Sequence, residues 1–225
     1  GLCCLLLFCC IVVLLTSWKP GVHNAKGELR NMQDSKKEIL SWALYDWANS
    51  SFATTVMAAF FPIFFSQYWS YGAQSTTSTF YLGLGNSLAS VILAVIAPVI
   101  GAIADKGSYR KKLLILFAFL GAAMTFSLTF VQMGMWPVAI LLYIFANIGF
   151  SGSTTLYDSL LPSIASEKKI DAVSSLGYAL GYIGGGLLFL VNVIMYLFPQ
   201  MFGLADGVAA VKASYIMVGI WWVVF

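Results

Sequence analysis

Six apolar runs follow Met32, and they decide the solvent in which the chain folds. They cover residues 39–65, 80–104, 113–133, 136–156 and 173–198, and a sixth starts near Ala213. A helix rises 1.5 Å per residue, so about 20 apolar residues cross the roughly 30 Å hydrocarbon core of a bilayer. A lone strand of that length would leave its backbone N–H and C=O groups unpaired in lipid, so the runs are helices. The expected fold is an all-α polytopic membrane protein. Its loops are short, which makes consecutive helices antiparallel.

Composition narrows the function classes. Of the 225 residues, 60% are hydrophobic and 9% are charged, against about 25% charged in a soluble domain. A water-soluble enzyme, a disordered chain and a nucleic-acid binder all need more charge, and all three are excluded. The partners implied are the lipid bilayer and a small-molecule substrate, with no nucleic acid. The lone histidine, His23, has no H-x-x-x-H companion, and the chain holds no Walker loop and no G-x-S-x-G elbow. No enzyme activity, cofactor or metal site is expected.

Two regions are expected. Residues 1–35 form an apolar segment followed by a polar linker. The apolar part reads as a short membrane anchor, a signal-like segment, or upstream sequence foreign to the protein, with Met32 the favoured natural start. Its Cys3, Cys4, Cys9 and Cys10 are paired neighbours in an oily run, unlike the spaced polar setting of a zinc site. Residues 36–225 form a bundle of six transmembrane helices. The chain begins with Gly1 and stops at Phe225 inside an apolar run, so it reads as a fragment truncated in helix 6.

The cations sort by loop. Lys36 and Lys37 precede helix 1; Lys106, Arg110, Lys111 and Lys112 separate helices 2 and 3; Lys168 and Lys169 separate helices 4 and 5. The opposite loops hold only Lys212. Basic loops stay on the cytoplasmic side, so helix 1 is expected to start there.

One of these loops is informative beyond its charge. It runs Gly101-Ala102-Ile103-Ala104-Asp105-Lys106-Gly107-Ser108-Tyr109-Arg110-Lys111-Lys112. Gly101 allows close helix approach, and Asp105 at the membrane edge can accept hydrogen bonds from Lys106, Arg110 or a helix N-terminus. The bland reading is an ordinary positive-inside loop. The spacing, however, resembles the G-x-x-x-D-(R/K)-x-G-x-(R/K)-(R/K) signature of the major facilitator superfamily, with Gly101, Asp105, Lys106, Arg110 and Lys111 matching and Ser108 replacing a Gly.

Further motifs narrow the family. Helix 1 opens on Ser41-Trp42-Ala43-Leu44-Tyr45-Asp46-Trp47-Ala48-Asn49-Ser50 and closes on Phe60-Phe61-Pro62-Ile63-Phe64-Phe65; Leu160-Leu161-Pro162 and a glycine-rich stretch from Val173 to Gly186 follow. Together these resemble the vacuole-effluxer family, the autophagy-related permease-like branch of the superfamily. The resemblance implies twelve helices in two six-helix halves, of which this is the N-terminal one. It also implies a secondary active transporter that effluxes a small solute such as an amino acid by alternating access, with a coupling proton and the C-terminal half as partners. The alternative is a non-transporting receptor or assembly subunit on the same bundle.

Within the spans, Asp46, Asn49 and Ser50 fall at i, i+3 and i+4, on one face of helix 1. An ionisable group inside a span is costly and marks a functional site by default. Asp46 can take a proton or a substrate ammonium, with Asn49 and Ser50 adding hydrogen bonds. The competing reading pairs Asp46 with a loop cation. Trp42, Tyr45 and Trp47 read as interfacial belt residues in preference to a cation cage.

Asp158 is expected to end helix 4. The superfamily resemblance implies a latch between it and Arg110; a solvated interfacial Asp is the alternative. Gly177, Gly181 and Gly185 recur every four residues in helix 5 and are expected to pack closely against a neighbour. An antiporter motif fits them less well, because Tyr182 and Lys168 replace its Pro and Gly. Asn192, Asn147, Ser151, Ser153, Thr154 and Thr155 either line a cavity or, for the hydroxyls, bond their own helix carbonyls.

Overall fold

The structure is a computed structural model that describes residues 34–105 and 109–225. The readings made for the N-terminal segment, including its cysteines, His23 and Met32, and for Lys106 fall outside those residues. Six helices among them are long and apolar enough to cross a membrane, and they are joined by turns without any strand. They are α1 (Lys36–Trp69), α2 (Ser75–Asp105), α3 (Tyr109–Ser127), α4 (Trp136–Ile164), α5 (Ile170–Leu197) and α6 (Gly207–Val224). The chain is a multi-pass, all-α integral membrane protein.

Two boundaries differ from the apolar runs. Helix α4 continues past Leu156 to Ile164 because Leu160, Leu161 and Ile164 pack on a second core cluster around Trp42, Tyr157 and Val173. Asp158 therefore lies inside α4 and does not end it. Helix α6 starts at Gly207, ahead of the expected Ala213. The Asp206 carboxylate accepts the Ala209 N–H at 2.8 Å and satisfies an otherwise orphaned donor of the first turn.

Helix α1 is not α-helical throughout. Phe52–Phe60 and Phe65–Trp69 are π-helical and flank a short α-turn, Phe61–Phe64. The local chemistry favours such a widening. Ser51 and Thr54 bond the carbonyls of Ala48 at 2.7 Å and Ser50 at 3.0 Å, competing with the regular ladder. Pro62 adds a residue without an N–H. The wide stretch carries Phe52, Phe60, Phe61, Phe64, Phe65 and Trp69, all buried in the main core. There Phe61 stacks on Tyr143 with centroids 3.9 Å apart.

Lipid is as apolar as a leucine side chain, so helices here associate through close packing and cross-helix hydrogen bonds. Both are present. A Cβ at Gly149 of α4 would come 2.5 Å from the Gly121 nitrogen of α3, so these backbones touch. The Trp222 ring of α6 rests on the other open face of Gly121. Indole N–H groups then bridge elements: Trp69 donates to Val131 O at 3.3 Å and Trp221 to Trp47 O at 3.4 Å. Helix α2 is the least enclosed, with Leu84, Leu88, Val95 and Val99 exposed.

Candidate functional site

Helices α1 and α5 run side by side in the same direction. A Cβ at Gly177 would strike the Trp42 ring at 2.6 Å; at Gly181 it would strike Asp46 Oδ2 at 2.6 Å and Ser50 Oγ at 2.8 Å; at Gly185 it would strike the Ser50 carbonyl oxygen at 2.8 Å. Thr54 Oγ1, which bonds Ser50 O, also stands 3.2 Å from Gly185 O and can share its one proton between the two carbonyls. The bare backbone of α5 is thus what leaves room for the Asp46 carboxylate between two helices.

The polar face of α1 divides. Asp46 Oδ2 and Ser50 Oγ face the same spot on α5, at Gly181. Asn49 is buried and turns to α4, where its Nδ2 donates to Thr154 Oγ1 at 3.3 Å. Asp158 of α4 follows Tyr157 and is exposed. Between α1 and α4, Trp42 and Tyr157 stack at 4.3 Å, and the Tyr45 ring lies 5.2 Å from that of Tyr157. Trp42 is buried, and Trp47 stacks on Trp221 of α6 at 5.7 Å. These aromatic rings pack inside the bundle and do not form a lipid-facing belt.

Asn192 is not part of this cluster. It lies eleven residues beyond Gly181 on α5, about 16 Å along the axis. Its side chain is fully buried, and neither Oδ1 nor Nδ2 has a hydrogen-bond partner. A separate polar stripe joins α4 to α2: Asn147 Nδ2 donates to Asn86 Oδ1 at 3.3 Å, and Ser151 Oγ donates to Asn147 Oδ1 at 3.3 Å. Asn147, Ser151 and Thr155 line a cavity of about 230 Å³ there with Ser90.

In the signature loop, Gly101 faces open space and Asp105 closes α2. Arg110 Nη1 donates to the carbonyl oxygen of Ser159, the residue after Asp158, at 3.4 Å. Lys111 and Lys37 line the mouth of a cavity of about 650 Å³, whose floor includes Trp42, Tyr45 and Tyr157.

Sequence reasoning passed over two features. The first is Tyr157, whose hydroxyl is buried without a partner; the periodicity of α4 placed it on no face because the helix was ended too early. The second is Asp34, outside the spans. It accepts from the Ser166 N–H at 3.1 Å and the Ser166 hydroxyl at 2.9 Å, and Lys169 Nζ stands 3.4 Å from its Oδ2. These hydrogen bonds, backbone first, and the nearby ammonium hold its carboxyl below the ordinary aspartate range. The contact ties the start of α1 to the α4–α5 turn.

Comparison with known proteins gives the family. A Bacillus subtilis protein described as the uncharacterized MFS-type transporter YxiO is 36% identical over 196 residues, covering 86% of this chain and 46% of that protein. Autophagy-related protein 22 of Coccidioides immitis is 30% identical over 182 residues, covering 61% of this chain and 30% of its own length. An uncharacterized protein of Aquifex aeolicus is 32% identical over 162 residues, covering 70% and 39%. The chain thus spans less than half the length of these relatives. No solved structure matches it. The model of the vacuole effluxer Atg22-like family matches residues 34–79 and 68–225, nearly all that the structure describes, and the chain belongs to that family.

Proposed function

We propose that this bundle is the N-terminal half of a secondary active transporter that effluxes a small solute, an amino acid in the first instance, by alternating access coupled to a proton. The observation that carries this reading is Asp46. A carboxylate inside a span is costly, and this one is seated against a glycine-lined helix with Ser50 Oγ facing the same glycine. Its glycine contacts hold α1 and α5 close together, which suits a bundle that rocks as a rigid body in alternating access. Membership of an effluxer family and the name of the Bacillus relative support the same class.

In this reading the start of α1 is cytoplasmic, since the basic loops lie at that end. The Arg110 contact to the last turns of α4 supports a switching role for the signature loop at the same end. The exposed apolar ridge of α2 is available to a C-terminal six-helix half.

The test is flux. The full-length protein is reconstituted in proteoliposomes, and a labelled amino-acid mixture is followed with and without an imposed pH gradient. Gradient-driven accumulation that Asp46→Asn abolishes is the expected result. Flux that ignores the gradient and the mutation removes Asp46 and the proton from the mechanism; no flux under any gradient favours a receptor or assembly role.

A further inference from the structure

Asn192 is fully buried, and neither atom of its amide is bonded. The α1–α5 contact shows what it faces. Gly177, Gly181 and Gly185 meet Trp42, Asp46 and Ser50 in turn. Asn192 follows Gly185 by seven residues, two turns, and so shares its face. It is thereby set against α1 beyond Thr54, at the wide stretch Phe52–Phe60. Ring contacts agree: Phe60 lies 6.2 Å from Phe189 and 5.9 Å from Tyr196, which flank Asn192 on α5. The backbone of α1 is unusual at this level. The Phe61 N–H reaches the Val56 carbonyl, and further on the Ser70 N–H reaches that of Phe65 at 2.8 Å. Both bonds span five residues in place of four. Thr55, inside the stretch, is fully buried and its hydroxyl is unbonded, whereas Ser51 and Thr54 bond carbonyls of their own helix. The stretch is held at both ends. The glycines of α5 fix the inner part of α1. The Phe61–Tyr143 stack and the Trp69 bond to Val131 O fix the outer part. Buried polar groups without partners are unfavourable, and two of them at one irregular turn call for a state that uses them.

We propose that the wide stretch of α1 is a register switch, and that Asn192 serves its second state. In that state Phe52–Phe60 takes the four-residue ladder of an ordinary α-helix. Where a five-residue ladder meets a four-residue one, a peptide group loses its regular partner, and shifting the junction changes which group that is. Lipid cannot satisfy it. A carboxamide carries both a donor and an acceptor, so the Asn192 amide can bond whichever half of the peptide group is freed. Shedding one residue of register turns the outer part of α1 by about 100° against the inner part. Phe61–Trp69 then repacks while Asp46 keeps its seat on Gly181. The inference goes beyond the transport reading and does not rest on it.

The test is a distance measurement by pulsed electron paramagnetic resonance on the full-length, cysteine-free protein in nanodiscs. Spin labels are attached at Ile63→Cys on α1 and Leu141→Cys on α4, both exposed positions. Both labels lie in this bundle, so its rocking as a rigid body leaves their distance unchanged. Two distances are expected in the parent. Asn192→Leu is expected to deplete the second by about fivefold or more, the ratio that one hydrogen bond commands. It is also expected to raise Tm, because an apolar side chain of similar size relieves the unbonded amide of the first state. Deletion of Ala58, an exposed residue inside the stretch, takes out the extra residue and should leave the second distance alone. A single distance in the parent that Asn192→Leu does not alter overturns the switch. A lower Tm for Asn192→Leu with both distances kept overturns the part given to Asn192, since its amide is then bonded in the first state. Asn192→Leu changes one side chain and no backbone, so its two readouts decide the matter even where the deletion fails to fold.

Discussion

The Trp42 and Tyr157 rings lie 4.3 Å apart with their planes 10° from parallel, and Trp42 Nε1 donates to the carbonyl of the same Tyr157 at 3.2 Å. One tryptophan therefore fastens α1 to α4 twice, by stacking and by a directed bond. It also forms the shared wall of the 650 Å³ cavity and of the Asp46 cluster. Trp42→Phe keeps most of the stack and loses the bond, at a cost of about 1 kcal/mol. Trp42→Ala loses both and leaves a void, at a cost of about 3–5 kcal/mol. Thermal unfolding of the purified protein in detergent should rank them in that order; equal Tm values would mean that the stack contributes nothing.

Gly149 tests backbone contact between α3 and α4. A Cβ there meets the Gly121 nitrogen at 2.5 Å, its Cα at 2.6 Å and the Phe117 carbonyl oxygen at 2.8 Å, all backbone atoms that cannot step aside alone. Gly149→Ala must push the helices apart and should cost about 1–3 kcal/mol. Gly186 is the control, since nothing lies within 4 Å of its added Cβ. Gly186→Ala should be neutral or stabilising by up to about 1 kcal/mol through helix propensity. The two Tm shifts are expected to have opposite signs or to differ severalfold.

What was legible in the sequence followed from burial in lipid. Spans announce themselves by length and apolarity, so the six helices stood out. Helix ends did not, because Leu160, Leu161 and Ile164 continue α4 under a polar Asp158-Ser159 interruption, and because the Asp206 cap precedes Lys212, which reads as loop. The π-helical stretch of α1 left no trace in the sequence, since apolar residues stand on both of its faces: Phe52, Val56 and Phe60 are buried while Ala58 and Ile63 are exposed. Trp42 read as a belt residue because an indole near a span end suits either headgroups or a neighbouring helix, and only tertiary packing decides. Asp46 was singled out, but its seat against Gly181 joins positions with no common period, and Tyr157 carried no signal of its own.

Gly181 separates function from stability. Its added Cβ would meet Asp46 Oδ2 at 2.6 Å and Ser50 Oγ at 2.8 Å, the free ends of two side chains. They can swing away at little cost, so Gly181→Ala should fold with a Tm close to that of the parent. The carboxylate, however, is displaced from its seat, and a misplacement of about 1 Å commonly costs 10²-fold in function. Flux should fall at least tenfold. Full activity in this variant would show that the seat of Asp46 is irrelevant to what the protein does.

Asp34 gives a pH signature outside the membrane. Its carboxyl titrates below the ordinary aspartate value of 3.8, because the Ser166 N–H and hydroxyl and the Lys169 ammonium favour the ionised form. A depressed folded-state value means that the contribution to stability is complete above the unfolded pKa and disappears as pH falls through the folded one. Asp34 has φ of 68°, a left-handed conformation that Asn tolerates well, so Asp34→Asn removes charge without adding backbone strain. The parent should be more stable than Asp34→Asn from neutral pH down to about 4, and the gap should close below 3.8. Exchange of the Ser166 amide, which donates to Asp34 Oδ1, offers a local readout of the same window. A gap that stays constant from pH 7 to pH 3 would mean that the ionised carboxylate does not hold the start of α1 to the α4–α5 turn.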